Sequence, residues 1–318
     1  MANLAKLPYA VGLRFFETPP LIWSKRIGEL CDVAGTAAYR AAATEDTQPE
    51  GFFERHYRNA HGLVWVRLGT VARDERNCDL DSFVRGALSS IDKPFVLLTT
   101  DGDAGVPGDL RPDTVAALFG NPHLVAWYSQ NIDGTDARVR PFPIGLDFHT
   151  RRKWTTPSRL TSLLDRIGRE APPAARRPLR IFSDLHLSPT AARDEAFEAL
   201  RGCGHVDMAR ARVPQAEIWR QYARYPLVLS THGNGLDCHR TWELLLLGCI
   251  AVTKTSSLDP LYKGLPVAIL DDWRQARVPR MMERWVEELG PLTDPDYIRT
   301  RLRSDAWIAP LRQLLAEA

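Results

Sequence analysis

The residues best placed to do chemistry lie between Leu227 and Val252, in LVLSTHGNGLDCHRTWELLLLGCIAV. The stretch reads as strand, glycine-bearing loop, helix, strand. A loop that delivers the chain into a helix N-terminus presents unpaired N–H groups and the positive end of the helix dipole, which suits a phosphate. Gly233 and Gly235 let the backbone come close to a ligand. Arg240 falls in the first turn of the predicted helix, where a guanidinium can hold a diphosphate through two hydrogen bonds. Glu243, three residues on, shares that face, and a carboxylate there is placed to accept from ribose hydroxyls. The spacing fits a plainer arrangement equally well. In it Arg240 and Glu243 form a solvated i,i+3 ion pair worth roughly a few tenths of a kcal/mol, and the glycines make a tight turn.

A second group of candidates lies in the N-terminal half. Asp101-Gly102-Asp103 follows the apolar run PFVLLTT, from Pro94 to Thr100. Two carboxylates at a strand end can hold Mg²⁺ or Mn²⁺ together with a diphosphate. They can equally provide a general base for an acceptor hydroxyl, or form a turn and nothing more. Asp79-Leu80-Asp81 is a second triplet of the same kind. His149, beyond the turn at Pro143-Ile144-Gly145, is a third candidate base. His232, Cys238 and His239 lack the spacing of a structural zinc site, because adjacent helical residues point apart, so no metal is expected there. Trp127, Tyr128 and Trp273 can stack on a sugar or base, although core packing accounts for each. No Walker A loop, GxSxG elbow or GxGxxG fingerprint occurs, which argues against hydrolase and oxidoreductase chemistry.

Positioning these residues requires alternating strands and helices, as in an α/β protein with parallel sheets. In the N-terminal half the pattern predicts a helix over 24–44, strands over 62–71 and 94–100, helices over 81–89 and 113–119, and strands over 124–129 and 139–144. In the C-terminal half it predicts strands over 179–183, 226–230, 249–253 and 267–270. Helices are expected over 191–201, 216–223, 237–247, 277–289 and 295–315, with Gly248 as a left-handed C-cap. Residues 1–150 are expected to form one domain and 179–290 another. Residues 151–178, including EAPPAARRP, would link them, and terminal helices would occupy 291–318. A chain of 318 residues is long enough for two cores.

A formal net charge of +2 does not suit a nucleic-acid-binding protein. Five cysteines without a CxxC pair suggest reduced thiols. MANLAKLPYAVGLRFF lacks the apolar core of a signal peptide, and no apolar run approaches the roughly 20 residues of a membrane span. The expectation is a cytoplasmic protein, with at most peripheral contact at the inner face of a membrane.

The run GNGLDCHRTWELLLLGCIAV, followed by SSLDPLYKGLPVAILDDW over Ser256 to Trp273, resembles the donor-binding region of exostosin-like glycosyltransferases. FVLLTTDGDAGVP, LVAWYSQNID and PFPIGLDFHT have the order seen in bacterial and viral members of that family. Ala251 stands where the family pattern has proline, and Thr231 and His232 stand where relatives carry proline and arginine. The second departure removes a possible phosphate contact. The resemblance implies a GT-B arrangement, with two Rossmann-like domains facing across a cleft. It further implies a nucleotide-diphosphate sugar, expected to be a UDP-sugar, as substrate and no separate cofactor. Ser230, His232, Gly233, Asn234, Gly235, His239, Arg240 and Glu243 would bind the donor, and Asp101, Asp103 or His149 would act as base. The acceptor would be a hydroxyl of a glycan, lipid-linked sugar or protein, as in polysaccharide biosynthesis, with inversion and without an essential metal. Two alternatives stay open: a non-catalytic nucleotide- or sugar-binding module, and a metal-dependent transferase using Asp101 and Asp103.

Overall fold

The computed structural model describes residues 20–69, 78–134, 136–150 and 156–318. The N-terminal MANLAKLPYAVGLRFF, the last two residues of the strand predicted over 62–71, and residues 151–155 of the expected linker lie outside the described residues. The chain separates into two units. An N-terminal unit comprises Ile22–Ile144, Gly235–Asp237 and Ser304–Ala318, and a C-terminal unit mainly Gly145–Asn234 and Cys238–Arg303.

In the N-terminal unit four strands lie side by side in chain order and all parallel: β1 (Gly62–Gly69), β2 (Phe95–Gly102), β3 (Leu124–Ser129) and β4 (Val139–Pro141). β2 is buried along its whole length, as a continuous apolar run covered on both faces requires. Helices α1 (Glu50–Tyr57), α2 (Asp79–Gly86) and α3 (Pro112–Gly120) connect or flank these strands. The aromatic rings of Phe53, Tyr57 and Phe83 join α1 to α2.

The helix predicted over 24–44 is two short turns, Ser24–Ile27 and Ala37–Ala41. Between them Val33 bridges to Val64 and Gly35 takes a φ of +63°, a conformation no helix tolerates; Thr36 then caps the second turn. The Asp79-Leu80-Asp81 triplet opens α2. Asp79 forms a 2.8 Å ion pair with fully buried Arg67, and Asp81 accepts from the Thr114 hydroxyl. Both carboxylates are thereby used inside the protein.

The C-terminal unit holds five parallel strands: β5 (Ile181–Ser183), β6 (Val206–Met208), β7 (Leu227–Leu229), β8 (Ile250–Lys254) and β9 (Val267–Leu270), ordered β6-β5-β7-β8-β9. Three-residue β6, with Asp207 at its centre, carries no apolar run and was not predicted. Both units are thus α/β with wholly parallel sheets, as the sequence leads one to expect. The order of the second sheet reverses between β5 and β7. At such a switch point neighbouring connections leave in opposite directions and open a crevice beyond the carboxyl ends of the strands.

Around this sheet run α4 (Pro157–Glu170), α5 (Ala191–Leu200), α6 (Gln215–Tyr222), α7 (His239–Leu246), α8 (Pro279–Leu289) and α9 (Pro295–Arg301). A final helix, α10 (Ser304–Ala316), returns to the N-terminal unit. The predicted 295–315 helix is therefore two helices. Gly248 takes a φ of +66° just after α7, as its expected capping role requires.

The expected linker is not an open connector. α4 fills half of it and packs so closely on α7 that a Cβ on Gly168 would lie 2.1 Å from the Leu246 carbonyl oxygen. Beyond α4, buried Arg177 donates to the carbonyls of Pro172, Tyr225 and Leu247. Proline and arginine density suggested exposed chain, but the buried guanidinium ties the segment into the C-terminal unit. Among the described residues no helix is long and apolar enough to cross a membrane.

Candidate functional site

The switch point of the second sheet carries a cavity of about 270 Å³. Asp184, directly after β5, enters it, and so do Arg212 from the loop after β6, Gln215 and Tyr222 of α6, and Arg240 and Glu243 of α7.

Arg240 is held in place from two sides. Its Nη2 lies 3.1 and 3.3 Å from the carboxylate oxygens of Asp184, and the Tyr222 hydroxyl donates to Asp184 Oδ2 at 2.7 Å. Its ion pair is with Asp184 and not with Glu243, and its side chain is only 15% exposed, unlike a solvated helix pair. Burial works against the Arg240 charge, but the surrounding groups, Asp184 and Glu243 among them, outweigh it and hold the guanidinium above its ordinary range. Burial also pushes the Tyr222 phenol far up, opposed by Arg240 and reinforced by Asp184. Tyr222 is therefore neutral at ordinary pH, and the nearby carboxylates carry the field that keeps Arg240 charged. Arg240 Nη1 is buried and makes no hydrogen bond among the described residues. A buried N–H of this kind costs free energy until an acceptor meets it, and phosphate oxygen is such an acceptor.

Glu243 is buried, and its Oε2 accepts from Trp219 Nε1 at 3.0 Å and from Gln215 Nε2 at 3.4 Å. These donors orient the carboxylate in the cavity wall. Two further arginines stand nearby. Arg212 donates to the Leu187 carbonyl and to Ser188 Oγ. Arg193 donates to the Ser188 carbonyl, has a buried Nε without a partner, and brings its Nη2 to 3.4 Å from a Cβ placed on Gly233. No side chain caps the N-terminus of α7.

The remaining candidates from the β7–α7 loop have separate tasks. Ser230 is buried and bonds Thr241 Oγ1 at 2.8 Å, fastening the strand end to the first turn of α7. Asn234 is exposed. Gly235 belongs to the N-terminal unit, where a Cβ would sit 2.7–2.9 Å from the side chain of Asn131. Asn131 cannot retreat, because it accepts from Asp237 N at 2.8 Å and donates to the Gly102 carbonyl at 2.9 Å. Gly235 thus makes room for a protein side chain where the sequence suggested a ligand. Gly235→Ala is expected to lower stability by about 1–3 kcal/mol, measured by denaturant unfolding.

His232 is half-buried near the Lys254–Glu195 ion pair. Burial lowers its imidazole below the ordinary value, opposed by Glu195 and assisted by Lys254. The folded chain then binds a proton less readily than the unfolded one. Stability is present above the unfolded value of about 6.5 and is lost as pH falls towards the lower folded value. Unfolding midpoints measured across that window should fall with acidification, and His232→Asn should flatten the slope.

Asp101 and Asp103 belong to the N-terminal unit and His149 to the C-terminal unit. Asp101 is part of β2, with a φ of +66°, and its Oδ2 lies 2.6 Å from Lys25 Nζ in a buried pair. Asp103, just past the strand, is half-buried, and its backbone N–H donates to the Gly69 carbonyl. His149 belongs to the C-terminal unit, where its ring stands 5.0 Å from that of His239. His239 Nδ1 bonds the Gly145 carbonyl at 2.7 Å. Trp127 and Trp273 are buried in the cores, while Tyr128 lies beside Arg140.

No family model matches the chain, and no curated protein is significantly similar to it. Solved structures with a related chain path include OtsA in its apo form, at 10% identity and a TM-score of 0.45 over 80% of this chain and 73% of that one. A UDP-forming α,α-trehalose-phosphate synthase from Burkholderia vietnamiensis is 12% identical, with a TM-score of 0.42 over 83% and 78% of the two chains. AviGT4, a glycosyltransferase involved in avilamycin A biosynthesis, is 14% identical, with a TM-score of 0.31 over 81% and 99%.

Proposed function

We propose that the chain is a glycosyltransferase of the exostosin-like kind. It binds a nucleotide-diphosphate sugar, a UDP-sugar in the first instance, in the cavity beyond β5 and β7. Transfer is to a hydroxyl of a glycan, lipid-linked sugar or protein, with inversion. The observation that carries this reading is Arg240, half-buried, fixed by Asp184 and with its buried Nη1 unpartnered among the described residues, in a cavity at the switch point of a parallel sheet. Such a group supplies fixed positive charge where a diphosphate leaves, and it needs no reorganisation to do so.

Arg240 meets the diphosphate, with Arg193 beside the Gly233 loop as a further cation. Glu243, oriented by Trp219, receives the ribose hydroxyls. Asp101, committed to Lys25, is not used as a metal ligand. Asp103 is the candidate base for the acceptor, and the leaving diphosphate is stabilised without an essential metal.

The test is calorimetric titration of UDP into the purified chain, followed by slow hydrolysis assays against a panel of UDP-, GDP- and dTDP-sugars. UDP binding with turnover of one donor is expected. No binding by any nucleoside diphosphate would overturn the reading.

A further inference from the structure

The cavity poses a charge problem. Its lining contains three carboxylates, Asp147, Asp184 and Glu243, against two guanidinium groups, Arg212 and Arg240. Asp184 neutralises Arg240 directly, and a diphosphate adds more negative charge. A cation at the same place would resolve this, and a set of ligands for one stands in the wall.

We infer that Asp147, His149 and His239 form a binding site for a divalent transition-metal ion. One ligand atom from each lies within 4.8 Å of the other two, and Asp147 and His239 also line the cavity. The tautomer of His239 is settled by its neighbour. A carbonyl oxygen can only accept, so the 2.7 Å bond to Gly145 places the proton on Nδ1 and gives Nε2 the lone pair. A metal-binding histidine is commonly held in this way by a backbone carbonyl. His149 Nδ1 is buried and has no hydrogen bond among the described residues, with Asp147 Oδ1 3.4 Å away. Asp147 Oδ1 accepts from the Thr150 N–H at 2.9 Å, which fixes the carboxylate. A tetrahedral ion with bonds near 2.1 Å would draw its ligands to about 3.5 Å apart, a closure of about 1 Å for side chains on a loop and a helix start.

Two imidazoles and one carboxylate favour Zn²⁺, Co²⁺ or Mn²⁺ over Mg²⁺ or Ca²⁺. Three protein ligands leave a coordination position for an oxygen of a bound phosphate. The effect on nucleotide rests on the donor-site proposal, whereas the metal site itself does not. In that combined picture the ion raises nucleotide affinity and is not essential to the chemical step.

The experiment uses the full chain freed of metal by chelation. Co²⁺ is titrated in and followed by its visible absorption, and Zn²⁺ is titrated by calorimetry. One ion per chain should bind, with a band characteristic of nitrogen ligation and no comparable response to Mg²⁺. His149→Ala should weaken binding by at least the 10–100-fold that loss of an outer-shell partner typically costs, and His239→Ala likewise. Circular dichroism of each variant separates a lost ligand from a lost fold, and half-exposed His149 serves if His239→Ala does not fold. Wild-type binding no tighter than that of His149→Ala would overturn the inference. UDP is then titrated with and without Zn²⁺. UDP binding to the metal-free chain tests the donor-site proposal alone, and tighter binding with Zn²⁺ in wild type but not in His149→Ala is the result expected of the ion.

Discussion

If the proposed donor site is right, Arg240→Ala is expected to weaken UDP binding by about 2–5 kcal/mol, roughly 30- to 5,000-fold, the usual cost of removing one partner from a hydrogen-bonded charge pair shielded from solvent. Two losses combine: the unsatisfied Nη1 no longer meets a phosphate oxygen, and Asp184 is left facing the nucleotide without its counter-charge. Arg240→Lys restores little, because an ammonium cannot engage Asp184 and a phosphate in the same planar fork. On the proposed reading turnover should fall with affinity, since the guanidinium would face the departing diphosphate. Glu243→Gln behaves differently. It keeps an acceptor for Trp219 Nε1, and because ribose does not change charge in the reaction, the donor KM rises more than kcat falls. Glu243→Ala also orphans the buried indole N–H, at about 1–3 kcal/mol of stability. Calorimetry with UDP and initial rates on the preferred donor distinguish these patterns. Wild-type affinity in both Arg240→Ala and Glu243→Gln would remove the donor assignment.

Asp101→Asn is expected to destabilise the protein by about 3–5 kcal/mol, because it leaves Lys25 buried without a compensating charge. The two side chains are 2% and 8% exposed, and Lys25 otherwise donates to the Ala42 carbonyl. Asparagine tolerates the positive φ at this position, so the substitution isolates the charge. Exchanging both members, Lys25→Met with Asp101→Asn, should recover most of the loss, since a buried pair is worth little against neutral side chains of similar volume. Urea unfolding of the single and double variants measures this. A single variant that keeps its stability and loses turnover would instead return Asp101 to the chemistry.

These two outcomes mark where the sequence was informative. Sheet strands covered on both faces advertise themselves, and β2 and β8 were legible over 94–100 and 249–253, although Asp101 and Gly102, which read as loop residues, close β2. The helix carrying Arg240 was legible because its loop, its leucines and Gly248 gave consistent signals. β6 was not, since three residues around Asp207 have no period to read. Within the site, Arg240 and Glu243 stood out by spacing on one helix. Asp184, Tyr222 and Trp219, which orient them, are brought in from other elements by the sheet order, and no local pattern reports that. Gly235 reads from the sequence as a point of close approach, and among the described side chains the one that approaches is Asn131, 104 positions earlier in the chain.

The N-terminal unit is assembled from three separated pieces of chain. Its four strands are complete by Pro141, but Gly235–Asp237 supplies partners for Asn131 and Ile144, and α10 arrives after residue 303. That last helix brings Trp307 to Phe142 and Arg312 to Asp32. During synthesis the strands complete by Pro141 must therefore wait for residues beyond 303. Domains generally fold as units as they emerge, yet here the sheet keeps apolar surface uncovered until α10 has been made. Chaperone demand during translation should accordingly centre on the N-terminal half, and a fragment cut after Ile144 would lack two of the pieces that close its own core.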